Sequence, residues 1–434
     1  MRALIEQLIA DDQERAFAET TRRRTRVPWL PGKADALVGM RRAGKTTRMR
    51  QLMQDRLADG YPREALLYLN FEDERLWEMG REELHLIVDV FYQRHPELRA
   101  RECAFFLDEI QVVPGWERFV RRLLDTEDIH VVVSGSSAKL LSRELETALR
   151  GRSLPTEVFP FSFREHLEHF GVELPAGGLR PGKALRSRIE HELGRYLERG
   201  GFPEVLGMQE PMRVRVLQEY LDAVILRDVV ERHGVTNVSA LRRMIRQLIN
   251  APAGLVSVHR LYGDLRSQGI SVSKDALHGY LDHLHDAYLL FPMAIHTASE
   301  RRRQSNPRKV YPIDPGVVTA CSSLPGRGIG QLLETVVFLH LRRKTDALGY
   351  YRDDAGTEVD FVVQKSGQVE LVQVSADITS QDTRKRELRA LEAAMQELGV
   401  TSATLVTLSA EETIQLQSGR ADVVPAWRWL LEQD

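Results

Sequence analysis

The sequence predicts an α/β protein with a parallel sheet near its N-terminal end, and three observations predict it. A glycine-rich loop, GMRRAGKTT at Gly39 to Thr47, follows the apolar run Ala34 to Val38 and precedes a helical pattern. A second apolar run, AFFLDE at Ala104 to Glu109, ends in two acids. Strand-like and helix-like stretches alternate from residue 1 to about 160, with strands expected near 34 to 38, 65 to 71, 104 to 108 and 129 to 134. That alternation implies helices on both faces of the sheet and a ligand at the strand C-terminal ends.

The first strand leads into the loop. Gly39, Gly44, Lys45 and Thr46 fit G-x-x-x-x-G-K-[ST]. Glycines let the backbone curl so that successive N–H groups face phosphate oxygens, and the helix that follows adds its positive end. Met49, Leu52, Met53 and Leu57 supply that helix's apolar spacing. Lys45 would reach the β- and γ-phosphates, and the Thr46 hydroxyl would ligate Mg²⁺. The candidate nucleotide set is therefore Gly39, Arg42, Gly44, Lys45, Thr46, Thr47 and Asp108, with ATP and Mg²⁺ as the expected cofactors.

The acidic strand end would complete the chemistry. Asp108, with Thr46, is a candidate to hold Mg²⁺, and Glu109 to orient the attacking water. The next strand, Ile129 to Val133, ends in SGSS, where a small hydroxyl could sense the γ-phosphate or form a simple polar turn.

Composition bounds what surrounds this site. The 434 residues suffice for two to four domains, and a net charge of −2 conceals runs of arginine. Two distant cysteines, Cys103 and Cys321, fit neither a disulfide framework nor a zinc site and suit a reducing compartment. The N-terminal stretch MRALIEQLIADDQER reads as a short amphipathic helix rather than a secretion signal, and no run approaches the ~20 apolar residues of a membrane span. A soluble, cytoplasmic protein is expected.

Beyond Phe161 the pattern turns helical to about Gly234, interrupted by LPAGGLRPGK and RGGFPEV. A helical lid fits. Val256 to Gly269 then reads as a helix, and Ser273 caps a second, in which Ala276, Leu277, Tyr280, Leu281 and Leu284 face inward and Lys274, Asp275, His278 and Asp282 outward. Two strands follow, Tyr288 to His296 and Lys309 to Ile313, joined by TASERRRQSNPR. Helix, turn, helix and a basic-tipped hairpin compose a winged helix. Arg301, Arg302, Arg303, Arg308 and Lys309 at the wing, with Lys274, are candidate DNA-phosphate contacts. The same charges also suit a solvated loop or a protein-binding module.

GMRRAGKTT, LDEIQ at Leu107 to Gln111, VPGW at Val113 to Trp116, SGSSAKLLS at Ser134 to Ser142 and LRGRSLPTEVFPFSF at Leu149 to Phe163 occur in order. GGFPE at Gly200 to Glu204, VYPIDPG at Val310 to Gly316 and EVDFV at Glu358 to Val362 follow them. In this the sequence resembles bacterial and archaeal AAA+ ATPases in which a helical lid, a winged helix and a C-terminal α/β restriction-endonuclease-like domain follow a P-loop AAA+ parallel-sheet core. The resemblance implies boundaries at 1–160, 161–235, 236–320 and 321–434. It implies that Ser134 senses the γ-phosphate, that Arg150 or Arg152 is an arginine finger for a neighbouring subunit, and that subunits form a ring such as a hexamer. Pairing of those arginines with local acids such as Glu144 or Glu146 is the alternative.

The C-terminal region departs from the nuclease pattern. Glu334 and Asp360 match its first two acids, but Gln373 and Ser375 stand where a glutamate and a lysine would. A neutral amide is a poor replacement for a carboxylate ligand, so a catalytically inactive domain is expected. Three readings follow: an ATP-driven motor or remodeller of DNA, in its specific form a Holliday-junction branch-migration ring; a nucleotide-controlled switch with protein partners; and a metal-dependent nuclease with an atypical site.

Overall fold

Three apolar runs and two more mixed ones become the parallel sheet of the N-terminal unit. They are β1 (Ala34–Val38), β2 (Leu66–Asn70), β3 (Cys103–Asp108), β4 (Ile129–Gly135) and β5 (Ser153–Glu157), in the order β2-β3-β4-β1-β5. The computed structural model describes residues 1–135, 151–175, 180–322, 328–365 and 367–432. Its two units are Met1–Phe159 with Asp286–Tyr288, and Pro160–His285 with Leu289–Asp434.

Every residue of β1, β3 and β4 is buried, as expected of parallel strands covered on both faces. Helix α2 (Lys45–Ala58) places Met49, Leu52 and Met53 over Leu37, Tyr68, Phe106 and Val132 on one face. On the other, Phe91 of α3 (His85–Arg94) meets Phe105 edge-on, with ring centroids 4.9 Å apart. The N-terminal helix α1 (Arg2–Glu14) buries Ile5, Leu8 and Ile9, and α4 (Trp116–Thr126) buries Trp116, Phe119, Val120 and Leu123. In register, Phe106 pairs with Val132 and Leu37 with Ser134, which sets Asp108 and Ser134 side by side on the α2 face.

The second unit begins with α5 (Phe163–His169), opened by a capping box of Ser162 and Glu165, then α6 (Lys183–Arg199). Helix α7 (Glu210–Ala223) runs on as π-helix through Val224–Glu231, and α8 (Val238–Ile249) follows. Next come β6 (Leu255–Val256), α9 (Val258–Ser267), α10 (Lys274–Asp286), β7 (Leu290–Met293), α11 (Glu300–Ser305), β8 (Arg308–Pro312) and α12 (Pro315–Cys321). The small antiparallel sheet runs β6-β8-β7.

Two details here differ from the sequence pattern. The pattern starts a helix at Val256, but that residue and Leu255 pair with Arg308 and Lys309, and the helix begins two residues later. The basic connection between β7 and β8 is not a bare hairpin tip. Its arginines lie on α11, whose cap is the Ser299 hydroxyl accepting from the Arg302 N–H at 3.3 Å.

The GGFPE and DPG motifs, over a hundred residues apart, meet. Asp314, fully buried, accepts from the backbone N–H of Gly201 at 2.7 Å and of Gly316 at 2.8 Å. A Cβ on Gly200 would lie 1.8 Å from Asp314 Oδ1, so this close approach requires glycine.

The remaining chain forms α13 (Ile329–Arg342), β9 (Leu348–Arg352), β10 (Glu358–Lys365), β11 (Gln368–Val374), α14 (Gln381–Leu398), β12 (Ser402–Thr407), β13 (Glu412–Gln415), β14 (Arg420–Pro425) and α15 (Ala426–Glu432). Their sheet, β13-β14-β12-β11-β10-β9, mixes an antiparallel β9-β10-β11 meander with parallel β11-β12-β14 pairs. Leu391, Ala394 and Met395 of α14 pack on Val362, Leu371 and Leu405. Among the described residues no helix is long and apolar enough to cross a membrane.

Candidate nucleotide site and C-terminal acid cluster

The loop after β1 is built to curl. Gly39 has φ 150°, and a Cβ there would lie 2.3 Å from the Val158 carbonyl oxygen. Gly44 (φ 99°) caps α2, and Arg42 holds φ 67°, a left-handed conformation that costs a non-glycine residue roughly 1–2 kcal/mol. Such alternation turns backbone N–H groups inward as an anion nest. Thr46 and Thr47 lie in the first turn of α2, whose N–H groups have no intrahelical partners.

Lys45, 5% exposed, donates to the carbonyls of Gly39 at 3.0 Å and Met40 at 3.3 Å, and its ammonium stands 3.7 Å from Glu109. Asp108, 2% exposed, is surrounded by hydroxyls. Its Oδ2 accepts from Thr46 Oγ1 and from Tyr68 Oη, both at 2.7 Å, and its Oδ1 accepts from Ser134. The Ser134 hydroxyl in turn accepts from the Glu109 N–H at 3.0 Å. Glu109 has φ 54°, and its carboxylate accepts from Gln111 at 2.5 Å. One strained turn thus directs Glu109 toward Lys45. Thr46 and Asp108 offer hard oxygen donors, which fit Mg²⁺.

Two contributors had no sequence motif. Tyr68 reaches Asp108 because the two strands are adjacent in register; burial, then the Asp108 charge, push its phenol pKa up. Arg23, 4% exposed, donates to the carbonyls of Ala43 and Phe159, each at 2.6 Å, and so supports the loop from behind.

Of the finger candidates, Arg150 lies outside the described residues. Arg152 donates to Asp125, and its carbonyl accepts from the Ala34 N–H at 2.8 Å, beside the strand starts and at the opposite sheet end from the glycine loop.

The expected DNA contacts divide. Arg301, Arg302 and Arg303 are exposed on α11. Arg302 stands 3.6 Å from Asp354 and Arg303 3.6 Å from Glu300, surface pairs of little energetic weight. Arg308 is half-buried, and Lys274 is exposed beside His259, 2.9 Å from its Nδ1. Lys309 does not belong with them. It is 2% exposed, and its ammonium contacts Asp360 at 2.6 Å, Glu358 at 2.8 Å and Glu334 at 2.9 Å. It lies in a strand whose following residues are also buried, so the lysine folds inward with its charge. Burial works against that charge, and Asp360, Tyr311, Glu334 and Glu358 outweigh it, holding the pKa above the ordinary lysine value.

Glu334 and Asp360 therefore meet at Lys309. Tyr311 Oη donates to Glu334 at 2.8 Å, and the Val374 N–H to Asp360 at 2.9 Å. Gln373 accepts from the Asp360 N–H at 2.9 Å and donates to Glu387 at 2.6 Å, while Ser375 donates to the Asp377 carbonyl at 3.1 Å. Those bonds commit both side chains to partners other than the lysine.

Residues 32–167 match an AAA domain, residues 190–327 a domain of unknown function (DUF8612) and residues 329–429 another (DUF4143). The chain is 31% identical to the uncharacterized protein MJ1544 of Methanocaldococcus jannaschii, over 99% of this chain and 95% of that one. It is 28% identical to an uncharacterized protein of Haemophilus influenzae, over 78% of this chain and 82% of that one. Among solved structures it resembles a Walker-type ATPase of Pyrococcus abyssi (14% identity, 74% of this chain and 95% of that one, TM-score 0.44). It also resembles Aeropyrum pernix ORC1, solved in complex with DNA (15% identity, 75% of this chain and 91% of that one, TM-score 0.29).

Proposed function

This chain belongs to the family of M. jannaschii MJ1544 and carries an AAA domain, and from that premise we propose that it hydrolyses ATP and uses the turnover to act on DNA as an oligomeric motor or remodeller. The carrying observation is the convergence of Lys45, Thr46, Asp108, Glu109 and Ser134 at the C-terminal ends of β1, β3 and β4. In this reading the loop N–H groups and Lys45 bind the phosphates, and Glu109 orients water toward the γ-phosphate. Thr46 and Asp108 would hold Mg²⁺, which when bound neutralises charge on the phosphate oxygens. Ser134 and Tyr68 hold the Asp108 carboxylate in place by donating to it. A finger from Arg150 or Arg152 would make turnover depend on a neighbouring subunit, in a ring such as a hexamer.

The DNA reading rests on the second unit. The run of helix, strand, two helices and a hairpin with sheet order β6-β8-β7 supports the winged-helix reading, with Arg301, Arg302 and Arg303 exposed on α11 and Lys274 on α10. Branched DNA, with Holliday-junction migration as the specific activity, is the substrate we favour.

One observation favours the alternative of a switch with protein partners. The tip arginines stand beside Glu300 and Asp354, and Lys309 is withdrawn, which thins the positive surface. Cleavage by the C-terminal domain is disfavoured, because Gln373 and Ser375 are engaged within the fold.

Steady-state ATP hydrolysis without DNA and with single-stranded, duplex and four-way-junction DNA tests the proposal. A several-fold stimulation by one form supports it and identifies the substrate. Turnover indifferent to all three would overturn the DNA assignment in favour of the switch.

A further inference from the structure

The Lys309 ammonium has three N–H donors, and the cluster presents it with three carboxylates from two elements: Glu334 on α13, and Glu358 and Asp360 on β10, while the lysine itself comes from β8. Its donor capacity is filled. Two of the acids are in turn oriented toward it by further donors, Tyr311 on Glu334 and the Val374 N–H on Asp360. Phe338 and Phe361 enclose Tyr311, the former stacked at 4.1 Å between centroids, so the cluster's apolar wall is well packed.

An array of carboxylates converging on one point from separate elements is what a divalent cation requires. Here that point holds a cation already, attached to the chain. With the side chain only 3% exposed, the ammonium has no path to other partners while the hairpin stays folded. The same ion pairs bind β8 to the C-terminal sheet, a join continued by β7's extension: the His296 N–H donates to the Tyr350 carbonyl at 2.7 Å, and the Tyr350 N–H to the Ala294 carbonyl at 3.2 Å.

We propose that Lys309 is the resident cation of this acid cluster, taking the position of a divalent ion, so that the hairpin and the C-terminal sheet are locked together without metal. The cluster becomes a divalent-cation site only when the lysine is removed. This role is the same whether DNA or a protein is the partner.

The test is Mn²⁺ binding by calorimetry to the nucleotide-free full-length protein, wild type and Lys309→Ala, each with and without Asp360→Asn. Wild type and Asp360→Asn should give the same isotherm. Lys309→Ala should gain one Mn²⁺ per chain over wild type, lost again in the double variant, and its melting temperature should rise with Mn²⁺ more than that of wild type. Should Lys309→Ala fail to fold, Lys309→Gln preserves most of the volume, and wild type against Glu334→Gln repeats the comparison with the lysine in place. A Mn²⁺ site in wild type that Asp360→Asn or Glu334→Gln removes would overturn the proposal, as would a folded Lys309 variant that gains none.

Discussion

The two units each bring a buried lysine to a group of acids, and the two lysines have opposite kinds of partner. Lys45 sits on a glycine loop, donates to two backbone carbonyls and stands 3.7 Å from Glu109. Carbonyls are weak partners for an ammonium, so a phosphate can replace them. Lys309 sits on a strand and is met by three carboxylates at 2.6–2.9 Å. What a buried lysine does is decided by whether its partners can be exchanged.

The sharpest way to break this contrast is at Lys45. Lys45→Ala should lower ATP turnover on the order of 100-fold or more, because a charge aimed at the transferring phosphate is lost; near-normal turnover would show that the loop lysine is not used. Lys309→Met should act on stability instead. Removing one partner of a buried cluster leaves carboxylates uncompensated, and about 3–5 kcal/mol of unfolding free energy should be lost in denaturant titration. An unchanged midpoint would mean that the cluster relaxes without its lysine.

Tyr68→Phe sharpens the comparison within the first site. It deletes one donor to Asp108 while Thr46 and Ser134 remain, so the Mg²⁺ concentration for half-maximal turnover should rise about tenfold with a smaller change in kcat. A loss confined to thermal stability would make the tyrosine structural only. Smallest is the wing: replacing Arg301, Arg302 and Arg303 by Gln should flatten the salt dependence of DNA affinity by roughly one unit of slope for each phosphate no longer neutralised. An unaltered slope would remove α11 from the interface.

The candidate nucleotide site is legible because its residues are local. Gly39 to Thr46 is one continuous stretch from the loop into the first turn of α2, and Asp108, Glu109 and Ser134 are marked by the ends of apolar strands. Tyr68 was not legible, since its bond to Asp108 depends on which strand lies beside β3 and in what register. The left-handed backbone of Arg42 and Glu109 has no signal in residue type either. Lys309 misled because Arg308 and Lys309 extend an arginine-rich stretch and read as its continuation. Its partners Glu334 and Asp360 lie 25 and 51 residues away, beyond any local pattern. A usable clue did exist: Val310 and Tyr311 are apolar or aromatic, in a strand covered on both faces, where a lysine must be buried and paired.

The chemistry proposed for the first unit meets at Glu109, and single-turnover ATP hydrolysis by wild type and Glu109→Gln tests it most directly. The account predicts that the variant binds ATP with affinity close to wild type and retains it uncleaved, because the neutral amide no longer orients the attacking water as the carboxylate does. Cleavage by Glu109→Gln at the wild-type rate would contradict it and assign the water to another residue.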